Sequence, residues 1–223
     1  DVGERNFYWN WREHRSEAGG GWVLDGGVHY ADLMRYHVGE IKSVACEVRA
    51  FDPIRFKKAA TREEPIKVDV EDTVISNLVY ENGAVGQWTS VSCAPGKGFS
   101  QHVIYGSEGS MDLGAGLTLR GKELETIDQL VERWKNSISK DEYEFFFPCG
   151  VTSCEATELW EFGQAVQGKM PIEITGMEAY KDVAICFALY ESNVLGGKPV
   201  SVADVEADKL NAYQKDLNEM LGI

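Results

Sequence analysis

The chain has 223 residues, of which 43% are hydrophobic and 26% charged, and a formal net charge of −14. That length and balance allow a sizeable buried core and exclude a disordered polyelectrolyte. The acidic charge excludes a sequence-independent nucleic-acid surface and docking on anionic lipid, and no apolar run reaches the roughly 18 residues of a membrane span.

The opening DVGERNFYWNWREHR has no apolar signal-peptide core and no starting Met. Trp9 and Trp11 have strand spacing, which predicts two rings on one face. They read as core anchors, with a ring-stacking wall beside a polar pocket as the alternative. Residues 13–18 read as a loop into a glycine triplet. The next stretch, residues 19–39, reads GGGWVLDGGVHYADLMRYHVG. Its pattern after Gly27 predicts a helix stopped by Gly39. If the helix reaches back to Asp25, then Asp25, His29, Asp32 and Tyr36 fall within roughly 60° of one another. Two carboxylates, an imidazole and a phenol on one stripe point to chemistry, since a packing helix places apolar residues there.

Residues 41–51 read as a strand, and residues 52–69 as a charged surface loop or hairpin extension. Residues 71–80 and 84–92 form two more strands around an Asn82-Gly83 hairpin turn. Short strands are expected within 99–105, 110–113, 117–120 and 124–127. A short helix is expected at 128–139, and a strand or aromatic plug at 142–147. Helices follow at 157–167 and 176–195, the second stopped by Gly196-Gly197. A strand-like exit at 198–202 leads to a charged helix at 204–221. This order predicts an α+β fold: an open, mostly antiparallel sheet with helices packed mainly on one face. The other face then needs a partner or a polar surface. Cys46, Cys93, Cys149, Cys154 and Cys186 are scattered without a CxxC pair, which predicts free thiols in a cytoplasmic protein.

The stretch from Asp25 to Asp32 holds a single histidine, too few donors for a metal site. No nucleophile elbow or phosphate loop occurs, and the glycines do not match a dinucleotide fingerprint. A general acid/base role suits His29, with Asp25 one turn away to orient it. The competing reading is a buried histidine behind a capping Asp25.

The segment YWNWR followed by GGGWVLDGGVHYAD resembles the signature of the glucose–fructose oxidoreductase / inositol dehydrogenase (Gfo/Idh/MocA) family, GGG-x-x-x-D-x-G-x-H-x-x-D. The match falls on Gly19, Gly20, Gly21, Asp25, Gly27, His29 and Asp32. VIYGSEGSMDL and EAYKDVAICFALYESNVLGGKPVSV are similar to later family segments. The resemblance implies the family's second domain, built on a large, mostly antiparallel sheet and here spanning residues 1–223. It implies an NAD(P)-dependent oxidoreductase of sugars, polyols or related carbonyls. NAD or NADP is then held mainly by a nucleotide-binding domain ahead of Asp1, which makes this chain a C-terminal fragment, inactive alone. His29 is implied as acid/base, with Asp25 as its partner or a substrate contact. Asp32 supports the site, and Arg12 and Asn10 sit at the rim with Trp11. A homo-oligomer through the open sheet face is expected. The alternatives are a non-catalytic sugar sensor and NAD-dependent redox-neutral glycoside cleavage.

Overall fold

A computed structural model describes residues 10–93 and 100–222; Trp9 and the turn expected at 94–98 lie outside the described residues. A 3-10 turn (Trp11–Glu13) precedes helices α1 (Arg15–Ala18), α2 (Trp22–Asp25) and α3 (Gly27–Val38). Strands β1 (Ile41–Arg49), β2 (Ile54–Lys58), β3 (Glu63–Lys67), β4 (Thr73–Tyr80) and β5 (Val85–Val91) follow. Next come β6 (Val103–Gly106), β7 (Gly109–Asp112), β8 (Gly116–Leu119) and β9 (Glu125–Thr126). Helices α4 (Ile127–Lys135), α5 (Lys140–Phe146), α6 (Cys154–Val166) and α7 (Gly176–Val194) lead to β10 (Val200–Ser201), α8 (Val202–Glu206) and α9 (Lys215–Leu221). The chain forms two compact units, Asp1–Gly96 with Ile174–Ile223, and Lys97–Glu173.

In the first unit the sheet runs β10-β1-β4-β5, antiparallel throughout. Period-2 patterning sorts β4: Val74, Ser76, Leu78 and Tyr80 are buried, whereas Ile75, Asn77 and Val79 are exposed. The buried face lies under α7, which contributes Ile185, Ala188 and Leu189, and α3 packs on α7 in turn. The opposite face leaves Ile75, Val79, Val85 and Val91 exposed. The hairpin turn is as the Asn-Gly pair predicts, with Gly83 at φ +88°. Asn82 also donates its carboxamide N–H to the Val38 carbonyl (2.7 Å), so the turn satisfies an otherwise orphaned acceptor at the end of α3.

The second unit holds the antiparallel sheet β6-β7-β8-β9 and helices α4 to α6. The strand or plug expected at 142–147 is instead helix α5. Ser139 caps it and Glu142 reaches back to complete a capping box, a sequence signal that the aromatic run obscured.

The α+β class, the antiparallel pairing and the helix-covered face agree with the sequence reading. The described strands fall into sheets of four, two and four strands, in place of one large sheet. The charged helix expected at 204–221 is interrupted between α8 and α9, where Asp208 takes φ +54°. The five cysteines are free, with Cys46 and Cys186 buried. Among the described residues no helix is long and apolar enough to cross a membrane.

Candidate active site

The glycine-framed stretch forms α2 and α3 in succession, separated only by Gly26, which keeps right-handed angles (φ −106°, ψ −20°). The stripe of polar residues therefore continues across a one-residue break instead of along one helix. The glycines have specific neighbours. A Cβ on Gly20 would lie 2.3 Å from the Tyr190 hydroxyl, and one on Gly21 would lie 2.7 Å from the Glu71 carbonyl and carboxylate oxygens. A Cβ on Gly27 would lie 2.6 Å from the Trp88 ring. These are seats for helix packing on a buried frame, not walls of a substrate pocket.

Asn10 caps the 3-10 turn by accepting the Arg12 N–H (2.8 Å). Arg12 lies over the Trp11 ring, 4.6 Å from its centroid, and its Nε donates to the Asp25 carboxylate at 3.0 Å. The strand expected for Trp11 is thus a 3-10 turn, and the ring is exposed rather than a core anchor. The Arg12–Asp25 pair is about half-exposed on both sides, so solvent screens it to about 0–1 kcal/mol. The Arg15 N–H donates to Asp69 (2.8 Å), and its guanidinium pairs with Asp216 (2.7 Å) and stacks on the Tyr213 ring at 4.3 Å.

His29 stands exposed in the first turn of α3. Its imidazole makes no hydrogen bond or ion pair with the described residues; Asp25 is bonded to Arg12, and no hydrogen bond joins it to His29. The structure therefore brings Asn10, Trp11, Arg12 and Asp25 together and places His29 four residues further along the helical path. Asp32 is half-buried, and its charge adds to the field on the buried Asp182. Tyr36 is exposed against the His37 ring. Among the described residues no three His, Cys, Asp or Glu side chains gather as metal ligands.

Two groups that the sequence did not single out, the half-buried Glu71 and the buried Arg35, fix this helix pair. Glu71 accepts the N–H of Gly21 (2.9 Å) and of Val23 (2.8 Å) and the hydroxyl of Tyr190 (2.9 Å). Burial pushes its carboxyl above the usual range, against the lowering effect of these donors. At the other end, Arg35 is buried and donates to Glu40 (2.9 Å), to Asp182 (2.8 Å) and to Glu178. The Arg35 guanidinium holds the Glu40 carboxyl down at about 2. The Asp182 carboxyl instead moves up, because burial outweighs a guanidinium divided among three carboxylates.

Residues 2–112 match the GFO/IDH/MocA C-terminal domain family. A levoglucosan dehydrogenase of Pseudarthrobacter phenanthrenivorans is 32% identical over 113 residues, covering 46% of this chain and 29% of that protein. Among solved structures, a levoglucosan dehydrogenase complexed with NADH and L-sorbose superposes with a TM-score of 0.71 at 21% identity, covering 92% of this chain and 56% of that one. An oxidoreductase domain protein of Kribbella flavida gives a TM-score of 0.68 at 17% identity, with 87% and 54% covered. The WlbA dehydrogenase of Bordetella pertussis, complexed with NADH and UDP-GlcNAcA, gives 0.60 at 18%, with 86% and 51% covered. The chain thus spans about half the length of the solved relatives.

Proposed function

Through residues 2–112 the chain belongs to the GFO/IDH/MocA C-terminal domain family, and from that premise we propose that it is the substrate side of an NAD(P)-dependent oxidoreductase. Its substrate is a sugar, polyol or related hydroxy or carbonyl compound. The observation that carries this reading is His29. A solvent-facing imidazole without a partner among the described residues sits on the family's signature helix, beyond a rim formed by Asn10, Trp11, Arg12 and Asp25. Imidazole exchanges protons near neutral pH, as a base facing a substrate hydroxyl must.

The described residues do not fit a nicotinamide dinucleotide. The glycines at 20, 21 and 27 are filled against Tyr190, Glu71 and Trp88 and leave no room for a phosphate cradle. The cofactor, NAD or NADP, is assigned to a nucleotide-binding part of the full-length protein, in keeping with solved relatives of which this chain covers only 56% and 51%. On this chain, His29 takes or returns the hydroxyl proton. The Arg12 guanidinium and the Asp25 carboxylate offer donors and acceptors to neighbouring hydroxyls, and Trp11 offers a ring face for the apolar side of a sugar. Asp32 supports the helix behind them. The exposed face around Ile75, Val79, Val85 and Val91 supports a homo-oligomer closed through the open sheet. Free cysteines support a cytoplasmic setting.

The absence of a bond between Asp25 and His29 favours one second reading, a sugar sensor that binds without turnover. Both readings meet the same test. Full-length protein is assayed with a sugar and polyol panel, with NAD and with NADP, as wild type and as His29→Ala. The substitution should lower kcat by about 10²- to 10⁴-fold. A variant with unchanged kcat across the pH range sinks the acid/base role, and a wild type that binds sugars without turnover supports the sensor.

A further inference from the structure

We infer that Glu71 and Tyr190 are a positioning pair for the proposed site: together they seat the first turn of α2, and so set where Asp25 and His29 stand. The inference rests on that site's being the acid/base centre. The two Glu71 oxygens are divided between two backbone donors. Oε2 accepts from Gly21 and Oε1 from Val23, while the Tyr190 hydroxyl donates to Oε1. Gly21, the residue preceding the helix, has no side chain with which to cap it, so Glu71 supplies the cap from a distant segment. Tyr190 is itself fixed. It is buried and stacks on Tyr213 with centroids 4.1 Å apart and planes at 6°, and the Tyr213 hydroxyl donates to the Gly19 carbonyl at 3.1 Å. Gly19, Gly21 and Val23 are therefore held by one connected set of side chains. The missing Cβ atoms of Gly20 and Gly21 are what allow the approach.

A merely packing role would not select these residues. Two apolar side chains would fill the space without the cost of burying a carboxylate. The carboxylate differs in fixing two N–H groups at once. Asp25 lies two residues beyond the second of them, and His29 follows across Gly26. A proton-transferring group loses rate when displaced by a fraction of an ångström, so this anchoring bears on rate rather than on affinity.

The test uses full-length protein and two variants, Glu71→Gln and Tyr190→Phe. Gln presents one oxygen and one NH₂ to two N–H donors, so one bond is lost; Phe keeps the ring stack and loses only the hydroxyl. Amide hydrogen exchange over residues 20–29 should rise roughly 10- to 100-fold in E71Q, as expected for losing one charge-assisted bond, and less in Y190F, with β4 and α7 unchanged. In E71Q, kcat should fall by about tenfold or more with KM held within about twofold, and the loss should vanish in a His29→Ala background. Exchange unchanged in both variants overturns the pair. Raised exchange with kcat intact overturns its link to the site. If His29→Ala alone retains full rate, the acid/base reading has failed; the exchange data, which need no turnover, then still decide whether Glu71 and Tyr190 hold the turn.

Discussion

Replacing Arg35 by Met tests whether the far end of the signature helix is pinned electrostatically. The Arg35 side chain and its partner Asp182 are each only 6% exposed, and the two are 2.8 Å apart. Met fills much of the guanidinium's space but leaves Asp182 buried without its cation. Stranding one member of a buried pair costs about 3–5 kcal/mol. Glu40 and Glu178 are more exposed and add little. At about 2–4 °C per kcal/mol for a body of this size, Tm should fall by roughly 10 °C. The pH dependence gives the mechanism. Burial already raises the Asp182 carboxyl, and losing the guanidinium raises it further. A raised carboxyl contributes stability at low pH that is lost as pH rises through its folded pKa. Wild type also gains, above about 2, from the depressed Glu40 carboxyl, and the variant does not. Both effects make the Arg35→Met deficit smaller near pH 4 than near pH 8, by thermal melts followed in the far ultraviolet. Adding Asp182→Asn should recover part of the loss. A variant that melts within about 2 °C of wild type, or a deficit independent of pH, refutes the reasoning.

Gly27→Ala drives a methyl to 2.6 Å from the ring of Trp88, a core residue only 7% exposed. Overpacking of about 1–3 kcal/mol should exceed the helix-propensity gain of about 1 kcal/mol, lowering Tm, and Trp88→Phe should restore most of the difference. A stabilised Gly27→Ala would show that the ring is not a fixed wall. Glu40 and Asp216 are held down to about 2 by Arg35 and Arg15, so stability should fall as pH drops from about 4.5 towards 2. Glu71 acts with the opposite sign and in a different range: its raised carboxyl favours the fold below about 4.5, and that contribution is lost as pH rises through its folded pKa, so Glu71→Gln should remove this decline above about 4.5 and leave the fall towards 2 in place. Urea midpoints across this range that do not fall for wild type would contradict the first assignment.

Much of the first unit was legible because its signals are local. Gly39 ends α3 at φ +114°, Asn82-Gly83 makes the β4–β5 hairpin, and Gly196-Gly197 follow α7 with positive φ. Helix α5 was not legible as a helix, since its aromatic run reads equally as a strand; the decisive signal was the Ser139–Glu142 capping box. At the site, a helical stripe singled out Asp25 and His29, but helical spacing says nothing about a loop that folds back. Arg12, thirteen residues upstream, holds Asp25 and leaves His29 without that partner. Glu71 was out of reach for the same reason at larger scale: it lies 50 residues from Gly21 and 119 from Tyr190. The glycines' mismatch to a dinucleotide fingerprint was legible, but their neighbours were not. What approaches them is a buried tyrosine, a carboxylate and a tryptophan, which only the assembled core reveals.

These contacts divide the signature stretch into three parts. Its beginning is fixed by Glu71 and Tyr190, its end by Arg35 among three carboxylates, and between them α2 and α3 turn Asp25 and His29 outward. Such an arrangement concentrates the cost of buried charge in the supports and leaves the working groups hydrated and movable. A base that must meet a hydroxyl at hydrogen-bond distance gains most from a fixed backbone and a free side chain. The Arg12–Asp25 pair fits the same logic. It is exposed and weak, so an arriving polyhydroxylated ligand can exchange hydrogen bonds with either member at small cost, whereas the Arg35 and Glu71 networks cannot be traded without unseating the helix.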